Sequence, residues 1–151
     1  MYDLILRDAT LVSSAGREVA DVAIQDGRIT YVGPRPRRDA KSEISAMGRF
    51  LIPGIIDTAV QFDHDESADA WSQESKAAVT GGVTTVLALP DGQTPVVDAP
   101  SAKRRLKKAS GKSWCNFGLW GAALYHNARE MEVCYQEGLI QGALMTVCQD
   151  P

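Results

Sequence analysis

Scarcity narrows this 151-residue sequence before any motif is read. Cysteine occurs only at Cys115, Cys134 and Cys148, and no two of the three share Cys-x-x-Cys spacing. That argues against a disulfide framework or a thiolate zinc site. It leaves buried free thiols in a reducing compartment, so a cytoplasmic location is expected. No stretch approaches the roughly 20 apolar residues of a membrane span. Asp3 and Arg7 interrupt the apolar amino terminus, so no secretory signal is read there. Excess positive charge is also missing. The net charge is −3, which gives no electrostatic case for nucleic acid or an anionic membrane. A basic cluster, Lys103-Arg104-Arg105 with Lys107-Lys108, lies in a helical pattern and reads as a solvated helix face. Repeats, low-complexity tracts and linkers are absent, and no Ser-His-Asp or Cys-His arrangement is legible.

What is present is the composition of a globular protein with one ordinary core: 44% hydrophobic and 23% charged residues. The first 50 residues read as β-rich. Strands are expected over Tyr2 to Val12, Val19 to Ile24, Ile29 to Val32 and Glu43 to Ser45. Asp26-Gly27 is the strongest hairpin signal in the chain. Beyond residue 50 the pattern is β-α-β-α-β-α-β, which argues for right-handed parallel crossovers. The strands are Ile55 to Phe62, Val83 to Leu89, Trp114 to Trp120 and Gly142 to Val147. The helices are Trp71 to Thr80, with Trp71, Ala77, Ala78 and Val79 inward, then Ala102 to Ala109 behind a Ser101 cap, then Asn127 to Glu137.

The chain is organised around residues 48–62, an apolar run broken by Pro53-Gly54 where one sheet would hand over to another. This stretch resembles the opening barrel strand of the dihydroorotase and hydantoinase branch of the metal-dependent cyclic amidohydrolases, L-x-P-G-x-I-D-x-H-x-H-F-R. Leu51, Pro53, Gly54, Ile56, Asp57 and Phe62 keep the frame. Two further stretches carry the same resemblance. Ala20-Asp21-Val22-Ala23-Ile24-Gln25-Asp26-Gly27-Arg28-Ile29, then Gly33, matches the sandwich domain's A-D-V-x-I-x-D-G-R-I-x-x-x-G. Gly81-Gly82-Val83-Thr84-Thr85-Val86 matches a signature at the second barrel strand. The resemblance implies an α/β fold: a small β-sandwich part over 1–50, then the first four strands of a TIM-type (β/α)8 barrel over 51–151. A complete barrel has eight strands and about 250 residues, so the chain would supply only its first half.

In the family, the two histidines of H-x-H and a strand-four lysine, commonly carboxylated, hold the catalytic metal. The matching positions here are Ala59, Gln61 and Leu144. Alanine has no donor atom, a glutamine amide is a weak zinc ligand, and leucine coordinates nothing. The family's substrate-carboxylate groups, an arginine after H-x-H and an asparagine after strand two, become Asp63 and Asp91. Like charge there would repel a carboxylate substrate. Asp63-His64-Asp65-Glu66 could hold a divalent cation, but it reads first as a solvated acidic loop. His126, after strand three, is a weaker candidate of the same kind, and Trp71 and Trp120 read as core or interface residues.

The resemblance therefore implies a pseudoenzyme: a non-catalytic dihydroorotase-like homologue with no metal cofactor. Its implied role is structural or regulatory, with aspartate carbamoyltransferase of pyrimidine biosynthesis as the partner the family suggests. The alternative is a working cyclic amidohydrolase whose zinc site is relocated or completed outside this chain. By strand alternation, Ile56, Val86, Leu119 and Leu144 would line the inner face of the half-barrel. That face and two unpaired sheet edges predict a homo-oligomer, or a partner chain that supplies the rest of the barrel.

Overall fold

Asp26 and Gly27 both take positive φ, 53° and 71°, joining two antiparallel strands through a two-residue loop. This is the type I′ geometry that an Asp-Gly pair favours, because the turn twists with its strands. In the computed structural model, which describes residues 1–62, 69–90 and 94–145, the chain divides into Met1–Pro53 and Gly54–Pro151. The boundary falls at the Pro53-Gly54 break and not at residue 50, because Phe50–Leu51 still pairs with the first strand.

The first unit contains β1 (Tyr2–Ser13), β2 (Gly16–Gln25), β3 (Arg28–Gly33), β4 (Ala40–Ser45) and β5 (Phe50–Leu51). They form one mixed sheet in the order β3-β2-β1-β4, with β5 also on β1. β2 and β3 run antiparallel to their neighbours, while β4 and β5 run parallel to β1. Ile5, Ala9, Ala20, Val22 and Ala23 are its buried apolar residues, and Ala20 to Ala23 are buried in succession, on both faces of β2. Asp21 is buried beside them. It accepts hydrogen bonds from the Asp8 N–H (2.9 Å) and Arg7 Nη1 (2.8 Å), and Arg7 also grips Glu43. Asp8 itself has φ 55°, at the register shift in β1 between Leu6 and Ala9.

The second unit alternates strand and helix: β6 (Ile55–Val60), α1 (Ala70–Thr80), β7 (Val83–Ala88), α2 (Ala99–Ala109), β8 (Asn116–Ala122), α3 (Ala128–Gln136) and β9 (Gly142–Leu144). The strands lie in chain order, all parallel, as a curled half-barrel sheet. Chain order and spatial order coincide, as barrel winding requires and as a doubly wound sheet does not.

Several expectations are corrected here. Val86 and Leu119 are not on the inner face. Both are fully buried in one cluster with Trp71, Met131 and Cys134 of the helices, so they point outward from the curl. The opposite face carries Leu87, Gly118, Trp120 and Gly142. A Cβ on Gly118 would meet Leu87, and one on Gly142 would lie 2.7 Å from the Trp120 ring. In α1 the buried side is Ala70, Trp71 and Ser75; Ala77 and Val79 are exposed. One turn of helix separates Trp71 from Ser75, and half-buried Ala78 continues their face, whereas Ala77 points away from it. The Ser75 hydroxyl is buried and satisfied: it donates to the Trp71 carbonyl and accepts from the Trp114 N–H.

The N-cap of α2 is Asp98, not Ser101. Asp98 Oδ1 accepts from the Ser101 N–H (2.7 Å) while Ser101 Oγ accepts from the Asp98 N–H (3.0 Å), a reciprocal capping box. Within the basic cluster, Arg105 is buried, so the helix face is not solvated throughout. Cys134 is buried and Cys115 half-buried, both as free thiols. Among the described residues no helix is long and apolar enough to cross a membrane.

Candidate active site

In a parallel β/α sheet the strands' carboxyl ends form one rim, and chemistry belongs there. Ala59 lies near the end of β6, Gln61 just beyond it, and Leu144 ends β9. β6 and β9 are the two outer strands of the sheet, so the three positions sit at opposite ends of the rim. Ala59 is exposed and its N–H donates to Asp57 Oδ1 (3.1 Å). Gln61 is exposed, and Leu144 is half-buried with its carbonyl accepting from the Ala123 N–H (2.8 Å).

Between these ends lies a residue that the sequence marked only as core or interface. The Trp120 indole N–H donates to the Thr58 carbonyl at 2.8 Å, reaching from β8 past β7 to β6. Trp120 pairs in register with Gly142, whose missing side chain leaves room for the ring. The indole therefore ties β6 to β8 on the inner face, next to Ala59. Sequence offered one usable signal for this: a tryptophan alternating with small residues in Phe-Gly-Leu-Trp-Gly-Ala.

His126 is exposed in the turn after β8, its ring edge-on to Tyr125 with centroids 4.7 Å apart. The loop that carries it is held by Asn127, which is buried. Asn127 Nδ2 donates to the carbonyls of Val97 (3.1 Å) and Ala122 (2.9 Å), and its Oδ1 accepts from the Leu124 N–H (2.7 Å). Asn127 occupies the N-cap place of α3 yet caps nothing with its side chain, because those three bonds consume it. No group of three or more His, Cys, Asp or Glu residues placed to hold a metal occurs among the described residues, around His126 or elsewhere. Asp63, His64, Asp65 and Asp91 lie outside the described residues.

A curled parallel β/α sheet, with a mixed β sheet ahead of it in the chain, defines the class: the TIM-barrel-plus-sandwich fold of the hydantoinases. The solved L-hydantoinase (dihydropyrimidinase) of Arthrobacter aurescens superposes with a TM-score of 0.88 over 95% of this chain, at 27% identity, and the match takes up 32% of that chain. In sequence, the allantoinase of Rubrobacter xylanophilus is 34% identical over 134 residues, 87% of this chain and 29% of its own. The L-hydantoinase of Paenarthrobacter aurescens is 26% identical over 144 residues, 93% of this chain and 31% of its own. The chain is thus similar to allantoinases and hydantoinases along most of its own length, and spans about three tenths of the length of these relatives. No family model matches it.

Ala59, Gln61 and Leu144, the positions that the resemblance matches to metal ligands, are poor donors for zinc. Zinc is held by imidazole, thiolate or carboxylate, typically three protein ligands with one position left open for water. At the three family positions present here, Ala59 offers no atom, Leu144 offers hydrocarbon, and Gln61 offers one carboxamide.

Proposed function

We propose that this chain is a non-catalytic cyclic amidohydrolase homologue, which keeps the hydantoinase fold and has lost the hydrolytic metal site. The observation that carries the reading is the set Ala59, Gln61 and Leu144, at both outer strands of one rim. A single replacement could be compensated by a neighbour. Loss at both ends of the rim removes each side of a metal bridge.

The test is hydrolysis of allantoin, hydantoin and dihydroorotate by the purified chain, with zinc or manganese added. No turnover above background is expected. Zinc-dependent turnover that chelation abolishes and that Gln61→Ala removes would overturn the proposal. It would favour the second reading, a working hydrolase with a relocated site, which the kinship with enzymes named allantoinase supports.

The proposal extends to association. Among the described residues β6 and β9 each have one strand neighbour, so each presents an open edge there. Ile55, Ile56 and Met145 on or beside those strands are exposed. Covering such side chains stabilises by about 1.5–3 kcal/mol each. The chain is proposed to act as a structural or regulatory partner in the cytoplasm, self-associated or joined to a chain that completes the barrel, with aspartate carbamoyltransferase as one candidate. Light scattering at micromolar concentration is expected to give a mass above the monomer's, and a monodisperse, cooperatively unfolding monomer would contradict it.

A further inference from the structure

The segment after β3, Gly33-Pro34-Arg35-Pro36-Arg37-Arg38-Asp39, places three arginines within four residues on a loop fixed at both ends. The Tyr31 hydroxyl donates to the Arg35 carbonyl (3.1 Å), the Tyr2 N–H donates to the Asp39 carbonyl (2.9 Å), and Pro36 is buried. Two prolines restrict the backbone between those anchors. Among the described residues none of Arg35, Arg37 and Arg38 is ion-paired; the pairs in this unit are Arg7 with Asp21 and Glu43, and Lys41 with Asp3.

These arginines line a cavity of about 400 Å³ whose far wall is Arg7. Three carboxylates share it, and they differ in what they have left to give. Asp21 is consumed: one oxygen accepts from the Asp8 N–H and the other from Arg7. Asp8 and Asp39 remain, against Arg37 and Arg38 and against Arg35, whose charge also acts on Asp21 without a hydrogen bond to it. Arg37 and Arg38 also line an adjoining cavity of about 570 Å³, where the other walls are uncharged: Tyr2, Gln25, Thr30 and Tyr31. The two arginines therefore form a ridge between a cationic hollow and a neutral, hydrogen-bonding one. Guanidinium is the side chain best matched to a phosphate, which it can hold through two parallel N–H bonds.

We propose that the Met1–Pro53 unit binds a small phosphorylated molecule, its phosphate on Arg37 and Arg38 with Arg35, and its uncharged part against Thr30 and Tyr31. Nothing in this site depends on the rim of the barrel strands, so it stands whether or not the chain hydrolyses anything. An acidic peptide would use the same arginines but would have no use for the neutral hollow.

The test is calorimetric titration of the full chain with glucose 6-phosphate, inorganic phosphate and an oligoglutamate peptide at one fixed ionic strength. Saturable binding of glucose 6-phosphate, tighter than that of inorganic phosphate, is expected. The double variant Arg37→Gln/Arg38→Gln should weaken it by about tenfold or more, as loss of charge-assisted bonds implies. Arg104→Gln, on the exposed side of α2, should leave it unchanged, and circular dichroism would show both variants folded. No saturable binding, equal loss in both variants, or binding of the peptide in preference to the sugar phosphate would each overturn the proposal.

Discussion

Replacing Gly142 by alanine places a methyl group 2.7 Å from Cζ3 of Trp120 and 3.3 Å from its Cε3. A long side chain normally swings away from such an intruder at little cost. This one is pinned, because its indole N–H is bonded to the Thr58 carbonyl across the sheet. Either the strands separate, an overpacking cost of about 1–3 kcal/mol, or the ring moves and loses a hydrogen bond worth about 0.5–1.5 kcal/mol. Against a domain stability of roughly 5–15 kcal/mol, the loss is readily measured. Urea unfolding followed by circular dichroism should show a lowered midpoint at unchanged slope, and tryptophan emission of the folded variant should shift. In a Trp120→Phe background the smaller ring leaves space, so Gly142→Ala should cost much less, a non-additivity that marks direct contact. If Gly142→Ala unfolds with the parent protein and its emission is unchanged, the indole is not the strut described.

Three further outcomes follow from the packing. Trp71 is fully buried, with Phe62 edge-on at 5.3 Å and Phe117 tilted at 5.4 Å, so Trp71→Ala should destabilise the barrel unit by about 3–5 kcal/mol in denaturant unfolding. Asp98→Ala removes the capping box of α2 and should cost about 1 kcal/mol by the same assay, with Asp98→Asn recovering most of it. Burial alone would raise the Asp21 carboxyl, but the Asp8 N–H and the Arg7 guanidinium outweigh it and hold its pKa below the ordinary 3.8. Its stabilisation is therefore complete above that value and is lost as pH falls through the depressed one. Asp21→Asn should lower the urea midpoint at pH 7, and the further drop between pH 5 and pH 2 should be smaller than in the parent protein.

Much of the architecture was legible because it is written in local signals. Asp26-Gly27 specifies its own turn, and Gly81-Gly82 ends α1 with Gly82 at φ 91°. What failed was the facing of strands whose residues are apolar at both parities. Val83-Thr84-Thr85-Val86-Leu87-Ala88 has no polar alternation to mark which parity meets the helices, and only the packing against Trp71 and Cys134 decides for Val86. Ser101 looked like a cap because it precedes the basic run, but the helix begins at Ala99 and takes Pro100 into its first turn, which proline tolerates. Of the site, Ala59, Gln61 and Leu144 were assigned by motif frames alone, and the fold puts each at or beside the end of a strand. The Trp120 strut and the Arg35–Arg38 cavity were not, since each depends on residues brought together from different strands.

The central claim is that the rim no longer holds a metal, and zinc content tests it most directly. The chain, purified without chelator, dialysed against micromolar zinc and analysed by plasma mass spectrometry, is expected to carry well under one zinc per chain. That content should not change in Gln61→Ala or His126→Ala. One tightly held zinc per chain, lost on substituting Gln61, His126 or His64, would contradict the account.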